Sequence, residues 1–431
     1  MAKKRGNNEG SIVQRKDGRW MASISVGTDP ATGKPKRKSF YGKTRKEAAE
    51  KMREALNRKD KGMLIDSSNV TVKDWLNTWL NDYKKQELKI STFASYQDLI
   101  ENHITPGLGA VKLDKLRTNG IQKFYNNLLK RGRADLLQRQ INKLPEGKKK
   151  IGLKKRLKEL KQLGLSPRTV KYIHSVLSQA LDQAVKEGYI YINPATATTR
   201  PRQVKKEITP LTTGEVKLFL DAIQDEFLYP VLVADLGTGL RRGELLGLKW
   251  EVVDLEAGTA YIKRQLIQVK GKVLLEEYTK TKGSTRTISL PAMVVRELKK
   301  LKKQQEEYGN IGNGKVISLK AKKEQNDNYV FCWPDGKYIR PDYAYKELRR
   351  LLEIHGLPNI RFHDLRHTFA TMLLEAGEHP KIVSEMLGHS SITITLDLYS
   401  HVLPSMKEKA AAKLNEILDP DHDQEKEKES K

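Results

Sequence analysis

The spacing of apolar residues changes along this 431-residue chain, and it limits the kind of element that each segment can form. Between residues 20 and 26 an apolar residue occupies every second position, which is typical of a β-strand with one buried face. From residue 72 the spacing becomes i, i+3, i+4 and i+7, the stripe of a helix that packs on a core. That stripe consists of Val72, Trp75, Leu76, Trp79, Leu80 and Tyr83.

The first 60 residues predict a short sheet followed by a helix. A second strand is expected at 38–41, and Thr44 with Glu47 forms a capping-box pattern ahead of an apolar helix face. This stretch has 17 Lys and Arg against 7 Asp and Glu. A small basic module of this kind favours DNA contact, and an RNA-binding module has a similar composition.

The helical spacing continues after residue 67. We expect further helices near 92–104, 118–130 and 167–187, which together form a small helical domain. The Asn193-Pro194 and Arg200-Pro201-Arg202 signals predict an exposed linker to a third segment. From residue 419 onward the chain is charged and lacks apolar residues, which predicts a disordered tail.

A basic insertion interrupts the helical domain. Between Lys130 and Leu163 there are 13 Lys and Arg against 3 Asp and Glu, with leucines at helical spacing. Three interpretations remain open: a solvated insertion, an additional phosphate-binding arm, or a helix that binds a partner protein.

The charge of the whole chain narrows the choice of partner. There are 80 Lys and Arg against 53 Asp and Glu, a net charge of +27, so a polyanion is expected and nucleic acid fits best. No apolar run approaches the roughly 18 residues that span a bilayer, and the basic N-terminus has no apolar core of a secretion signal. The single cysteine, Cys332, can form neither an internal disulfide nor a cysteine-rich zinc site, and we expect a core thiol. The expectation is a cytoplasmic, nucleoid-associated protein without membrane contact.

The third segment, 208–415, carries the motifs that indicate chemistry. Arg241 follows a Thr-Gly-Leu turn, a hairpin at 279–291 presents Lys280 and Lys282, and His363 and Arg366 share a helix face. Next come Leu387-Gly388-His389 and then Tyr399. Each motif alone is weak, and the His363 and His367 pair also resembles a zinc site that lacks its glutamate.

Taken together, this ordered set resembles the tyrosine recombinases of the phage integrase family. Thr238-Gly239-Leu240-Arg241 looks like the first arginine motif of the family, and His363-Asp364-Leu365-Arg366 matches its His-x-x-Arg box. The resemblance assigns the catalytic residues as Arg241, Lys280, His363, Arg366, His389 and the nucleophile Tyr399. Lys282, two residues from Lys280, is the alternative hairpin lysine.

The resemblance also implies a fold and a mechanism. The expected domains are a β-sheet-plus-helix arm-binding domain at 1–66, an all-α core-binding domain at 67–200 with the basic insertion at about 131–165, and a mainly helical α+β catalytic domain at 208–415. Such an enzyme integrates, and in some cases excises, a phage or other mobile element through a 3′-phosphotyrosine, without metal, ATP or other cofactor. Its partners are core and arm attachment sites in double-stranded DNA, three further subunits of a synaptic homotetramer, an excisionase and a host DNA-bending protein.

Three other functions remain to be separated from recombination. A type IB topoisomerase uses similar chemistry on one duplex, but it has no need of a separate arm-binding module. A non-catalytic DNA-binding protein would lack at least one of Arg241, His363, Arg366, His389 and Tyr399, all of which are present. A zinc hydrolase would require a metal.

Overall fold

The chain divides into two compact units, Met1–Lys205 and Lys206–Lys431. A computed structural model describes residues 10–28, 33–60, 69–160, 162–203, 210–277, 285–307, 328–389, 391–398, 411–415 and 418. The predicted tail from 419 lies outside these residues. Among the described residues, no helix combines the length and apolar character needed to cross a membrane.

The first unit begins with a three-stranded antiparallel sheet in the order β1-β2-β3. The strands are β1 (Ser11–Gln14), β2 (Trp20–Thr28) and β3 (Pro35–Gly42), and the helix α1 (Arg45–Asp60) follows. Half of the predicted capping box forms, since the backbone N–H of Glu47 donates to Thr44 Oγ1. The Glu47 carboxylate accepts from the backbone N–H of Lys43, one residue before the cap. The small core lies between sheet and helix and comprises Ala22, Ile24, Ala48, Met52 and Ala55.

A helical domain with a separate core makes up the rest of this unit. Its elements are α2 (Val72–Thr78), a π-helical turn (Trp79–Lys84), α3 (Ile90–Leu99), a second π-helical turn (Ile100–Ile104), α4 (Thr105–Leu108), a 3-10 turn (Leu113–Lys115), α5 (Thr118–Lys143), α6 (Lys148–Lys158) and α7 (Pro167–Lys186). The predicted stripe is buried except for the half-buried Tyr83. Trp75 also donates its indole N–H to the carbonyl of Ala180 on α7, at 2.7 Å.

Two sequence-based boundaries in this domain are wrong. The helix expected to end near residue 130 runs on to Lys143, because Leu137 and Ile141 continue its buried face into the basic insertion. Asn193 does not begin an exposed linker. It is 5% exposed, and its amide donates to the carbonyl of Ser178 and to Asp182 on α7, which fastens this turn to the domain.

The second unit is mainly helical, with two small antiparallel sheets. In chain order it contains α8 (Thr213–Ala222), α9 (Tyr229–Thr238), α10 (Arg242–Leu246), a 3-10 turn (Trp250–Val252), β4 (Val253–Asp254), β5 (Thr259–Ile262), β6 (Arg264–Val269), β7 (Lys272–Glu277), β8 (Arg286–Ser289), α11 (Ala292–Glu307), α12 (Pro341–Ile354), α13 (Phe362–Glu375), α14 (Pro380–Leu387) and α15 (Ile392–Leu398). Helix α9 lies at the centre of the packing and contacts α8, α10, α11 and α13.

The predicted hairpin at 279–291 is not formed by the strands on either side of its loop. Strand β7 pairs with β6, whereas β8 pairs with β5 in the order β4-β5-β8. The reason is burial, since Ile288 of β8 pairs with Ala260 and both face the core. The segment that contains Lys280 and Lys282 therefore connects two sheets, and both lysines lie outside the described residues.

Candidate active site

Arg241 stands at the start of α10, directly after a turn that only glycine fits. Helix α9 ends at Gly239, which has φ +60°, and a Cβ there would lie 2.3 Å from the ring of Phe369 on α13. The backbone N–H of Arg241 donates to the Glu244 carboxylate at 3.1 Å, which fixes the first turn of α10. The Thr-Gly-Leu turn thus sets the position of the arginine.

The Arg241 guanidinium joins two parts of the unit. Nη1 donates to Glu244 Oε1 at 2.8 Å and Nη2 donates to the carbonyl of Gly388 at 3.1 Å. Its side chain is 40% exposed. Because a guanidinium has five N–H donors, Arg241 can hold these two contacts and still face an anion.

Arg366 approaches the same turns from α13. It is 2% exposed, and its Nη1 donates to the carbonyl of Gly239 at 2.7 Å while its Nη2 donates to the carbonyl of Leu387 at 2.5 Å. The two arginines therefore hold adjacent carbonyls, Leu387 and Gly388, of the Leu-Gly-His turn. Three motifs meet at this point, although the contacts of the first with the other two join residues that are 127 and 147 positions apart in the sequence.

Glu244 is a carboxylate that the sequence motifs did not single out. Its side chain is fully buried and accepts hydrogen bonds from Arg286 as well as Arg241, with Arg286 Nη2 at 2.8 Å from Oε2. Burial alone would raise the pKa of Glu244, but the hydrogen bonds and charges of the two arginines outweigh burial and lower the pKa to about 2. Glu244 is thus ionised at any working pH and balances part of the positive charge.

Arg286 extends this network to β8. Its side chain is 11% exposed, and the Arg286 guanidinium lies so close to Gly388 that a Cβ there would be 3.1 Å from Cζ. Gly388 also has φ +64°, so the glycine of the Leu-Gly-His motif is needed both for the backbone and for the contact.

Three histidines lie around the arginines. His389 Nδ1 is 2.8 Å from the buried hydroxyl of Thr395, and its pKa is lowered to about 4 by burial and then by the charges of Arg366 and Arg241. Desolvation by neighbouring atoms, followed by the charge of Arg366, also lowers the pKa of His363, whose side chain keeps an exposed edge. His367 is 6% exposed, and burial is the main cause that lowers its pKa to about 4. All three are neutral at physiological pH in this state.

The predicted zinc pair lies on one face of α13. The rings of His363 and His367 are 5.1 Å apart and nearly perpendicular. In the part of the chain that the structure describes, no group of three or more histidine, cysteine, aspartate or glutamate side chains is arranged to hold a metal ion. Cys332 is half-buried, and burial raises its pKa to about 11.

Asp235 is a further buried carboxyl group near the arginines. It lies on α9, is 1% exposed, and neither of its oxygens has a hydrogen-bond partner among the described residues. Burial raises the pKa of Asp235 well above its usual range, although the charge of Arg366 acts in the opposite direction. In the sequence, the only indication that this carboxyl group is buried is its position within the most apolar stretch of the chain.

The structure brings four of the six predicted site residues together: Arg241, His363, Arg366 and His389. Lys280 and Tyr399 lie outside the described residues. Tyr399 follows directly on α15, which carries the Thr395 partner of His389. The described site is a group of cations and neutral imidazoles around two glycine turns, suited to holding an anion such as a phosphate.

Comparison with known proteins agrees with this geometry. The profile of the phage integrase family matches residues 210–406, and that of the phage integrase N-terminal SAM-like domain matches 71–129. A tyrosine recombinase XerC-like protein of Caldanaerobacter subterraneus subsp. tengcongensis is 32% identical over 414 residues, which cover 93% of this chain and 96% of the relative. The ICEBs1 integrase of Bacillus subtilis is 26% identical over 95% of this chain and 100% of its own length.

Solved structures show the same fold. The Tn1549 transposon integrase in complex with a circular intermediate DNA has a TM-score of 0.60 at 22% identity, over 80% of this chain and all of that one. A lambda integrase tetramer bound to a Holliday junction has a TM-score of 0.50 at 20% identity, over 91% of this chain and 98% of that one. The family profiles, the full-length relatives and the convergence of the arginine and histidine motifs lead to one conclusion: this chain belongs to the tyrosine recombinase family of phage integrases, enzymes that cleave and rejoin DNA in site-specific recombination.

Proposed function

We propose that this chain is the integrase of a phage or integrative element, and that it cleaves DNA through a 3′-phosphotyrosine at Tyr399. One observation carries the proposal. Arg241 and Arg366, on different helices, donate to the adjacent carbonyls Gly388 and Leu387, and His389 follows directly. This arrangement holds two permanent positive charges beside a histidine, as in-line attack on a phosphodiester requires.

The arginines form the phosphate clamp. A guanidinium stays charged at any working pH and grips two phosphate oxygens at once, so it stabilises the negative charge that grows on them during attack. Their positions are fixed by backbone carbonyls and by Glu244, so little reorganisation is needed when DNA enters.

Proton transfer involves Tyr399, His363 and a lysine of the segment before β8. Tyr399, with an ordinary pKa near ~10, becomes a good nucleophile only when its proton is removed. His363 serves as the base, because its lowered pKa keeps the imidazole neutral and able to accept a proton. His389 donates a hydrogen bond to the phosphate, and Lys280, or Lys282 two residues on, protonates the leaving 5′ oxygen.

Rejoining follows from the chemistry of the intermediate. The phosphotyrosine bond conserves the energy of the phosphodiester, so a 5′ hydroxyl from a second duplex reverses the attack without nucleotide hydrolysis. Exchange requires two synapsed sites, for which four subunits assemble; a lambda integrase tetramer on a Holliday junction is a structural precedent.

The domains divide the recognition of DNA. Residues 1–66 bind arm sites, and the domains at 67–200 and 208–415 enclose the core site. An excisionase and a host DNA-bending protein set the direction of the reaction, which takes place on chromosomal DNA in the cytoplasm. The basic N-terminal sheet, with Arg15 over the ring of the exposed Tyr41, supports a DNA-contacting role for the first module.

A recombination assay tests the proposal. Purified protein, an extract of the host and two duplexes that carry the attachment sites of the element are incubated, and joined products are separated by size. Wild type and a Tyr261→Phe control, altered at an exposed tyrosine, should form recombinants, and Tyr399→Phe should form none. Relaxation of supercoiled DNA that lacks attachment sites, without recombinants, would instead indicate a topoisomerase.

A further inference from the structure

The basic insertion forms a helical hairpin, to which the proposed mechanism gives no role. We call residues 130–160 the basic hairpin: the second half of α5, the connection, and α6. It contains twelve Lys and Arg against three Asp and Glu. It lies between the two regions that the family profiles match, 71–129 and 210–406, in a stretch that neither profile covers.

The hairpin is fixed to the helical domain at its base. A Cβ on Gly164 would lie 1.6 Å from the carbonyl oxygen of Leu129, so the returning chain crosses α5 at a contact that only glycine permits. The backbone N–H groups of Arg133 and Ala134 both donate to the carbonyl of Leu163, each at 2.9 Å. The orientation of the hairpin is therefore set by the fold.

Packing gives the two helices of the hairpin different surroundings. Leu137 and Ile141 of α5 are buried, and α6 packs on α5 with its half-buried Leu153 and Leu157. Arg139 donates to the carbonyl of Asn102, which ties α5 to the preceding π-helical turn. The leucines of α6 are thus half-buried, and its exposed surface carries mainly cations together with Ile151.

The acidic residues of the hairpin neutralise only part of its charge. Glu146 pairs with Lys150 at 2.7 Å and with Lys154 at 3.8 Å, and the pairs of Asp135 and Glu159 are also local and exposed. Exposed pairs of this kind contribute little to stability. Seven exposed cations of the hairpin make no ion pair with another residue that the structure describes. Lys130 and Arg133 lie at its base, and the other five lie further out: Lys143, Lys148, Lys149, Arg156 and Lys158.

The placement of charge on α6 is unfavourable for an isolated helix. Three lysines, 148–150, occupy the first turn, where the helix dipole favours anions. The N-cap residue of α6 is Gly147, which has no side chain to cap the helix, and α6 has no fully buried residue. Gly152 in its interior costs about 1 kcal/mol relative to alanine. A polyanion at this surface would remove the repulsion and stabilise the helix.

The composition of the hairpin selects among polyanions. Residues 130–160 contain no Phe, Tyr or Trp, so they offer no platform for stacking on single-stranded bases. Eight of the twelve cations are lysines, which contact phosphates as point charges, whereas base recognition depends mainly on Arg, Asn and Gln. Membrane binding would need a continuous exposed apolar face, and Ile151 is the only large apolar side chain of α6 that is exposed among the described residues.

We propose that the basic hairpin binds the sugar–phosphate backbone of duplex DNA that flanks the core site, without regard to sequence. The inference rests on the proposed function, because the helical domain is the part that would hold the core site. The hairpin lengthens the bound segment of DNA and increases affinity through counterion release. Removal of five phosphate contacts should lower the slope of log affinity against log salt by about 4.

The test replaces five exposed cations of the hairpin with glutamine: Lys143, Lys148, Lys149, Arg156 and Lys158. Two core-site duplexes are compared, one with 15 flanking base pairs on each side and one trimmed to the core, and affinity is measured from low to physiological salt. Wild type should bind the long duplex at least tenfold more tightly than the trimmed one. The glutamine variant should lose this advantage and the steeper slope, and a variant with arginine at the four lysine positions should keep both.

A nicked core duplex separates this inference from the proposed function. Formation of a covalent adduct on the trimmed duplex should be the same in wild type and in the glutamine variant, since the hairpin contains none of the six proposed catalytic residues. Equal affinity and equal salt slope of the two proteins on the long duplex would overturn the role of the hairpin alone. Loss of binding to phosphatidylserine vesicles without loss of DNA binding would also overturn it, whereas no adduct with wild type would contradict the proposed function.

Discussion

Glu244 connects Arg241, at the start of α10, to Arg286 on β8. It accepts hydrogen bonds from Arg241 and Arg286, and its side chain is fully buried. Arg286 and Glu244 are 42 residues apart, so their pairing depends on the fold and no local pattern could indicate it. Asp235 was visible in the sequence only as a charge among apolar residues.

Replacement of Glu244 with glutamine should destabilise the protein and slow cleavage. It leaves two arginines near each other without their carboxylate, and the loss of one partner of a buried pair costs about 3 kcal/mol. Chemical denaturation should show this loss, whereas Glu226→Gln, at the exposed pair with Arg350, should cost under about 1 kcal/mol. Equal effects of the two substitutions would contradict the role given to Glu244.

The same carboxylate predicts a pH dependence of stability. The pKa of Glu244 is about 2 in the folded protein against an ordinary 4.5, so the folded state binds fewer protons than the unfolded state between these values. Its contribution to the free energy of unfolding is complete above pH 4.5 and is lost as the pH falls toward 2. Wild type should therefore lose more stability across this range than Glu244→Gln.

His389 should change its protonation when DNA binds. Without DNA, burial and the charges of Arg366 and Arg241 lower its pKa to about 4. A phosphate between these arginines adds negative charge, which favours the imidazolium form and raises the pKa. Titration of labelled histidine by NMR should show the pKa of His389 rise on addition of a core-site duplex, and an unchanged value would place the phosphate elsewhere.

At the scale of elements, the sequence predicted best what depends on local pattern. The capping box at Thr212, the side-chain cap at Thr44 and the apolar stripe of α2 are confirmed, because caps and helix periodicity involve neighbours along the chain. The pairing of β8 with β5 was not foreseen, since strand partners are chosen by long-range burial. The length of α5 was underestimated for the same reason, as its last turns are buried by the chain that returns past it.

The turn between α9 and α10 gives a prediction at this scale. Gly239→Ala should destabilise the protein by about 2 kcal/mol, because alanine is strained at φ +60° and its Cβ would overlap Phe369. The substitution should also displace the carbonyl that holds Arg366 and so reduce cleavage. Gly214→Ala on α8, where a Cβ meets nothing within 4 Å, is the matched control and should be neutral or slightly stabilising.

At the scale of the whole molecule, net charge and the order of the motifs predicted the class of protein. The contacts between the motifs are seen only in the structure. A net charge of +27 indicated nucleic acid, and the order of the arginine, histidine and tyrosine motifs indicated the family that the full-length relatives establish. Why the motif glycines are there became apparent only from structure, since Gly239 lies against Phe369 and Gly388 against Arg286. The basic hairpin was recognised as unusual, but its anchoring at Gly164 could not be read from the sequence.

We propose that Tyr399 attacks a phosphate held by Arg241 and Arg366. Mapping the residue that is covalently joined to DNA tests this attack directly. The protein is incubated in EDTA with a nicked core-site duplex, denatured and digested, and the DNA-linked peptide is identified by mass spectrometry. Wild type should carry the DNA on Tyr399 through a phosphodiester, Tyr399→Phe should form no adduct, and Arg241→Gln should give a strongly reduced yield. An adduct on another residue, or one that persists in Tyr399→Phe, would contradict this proposal.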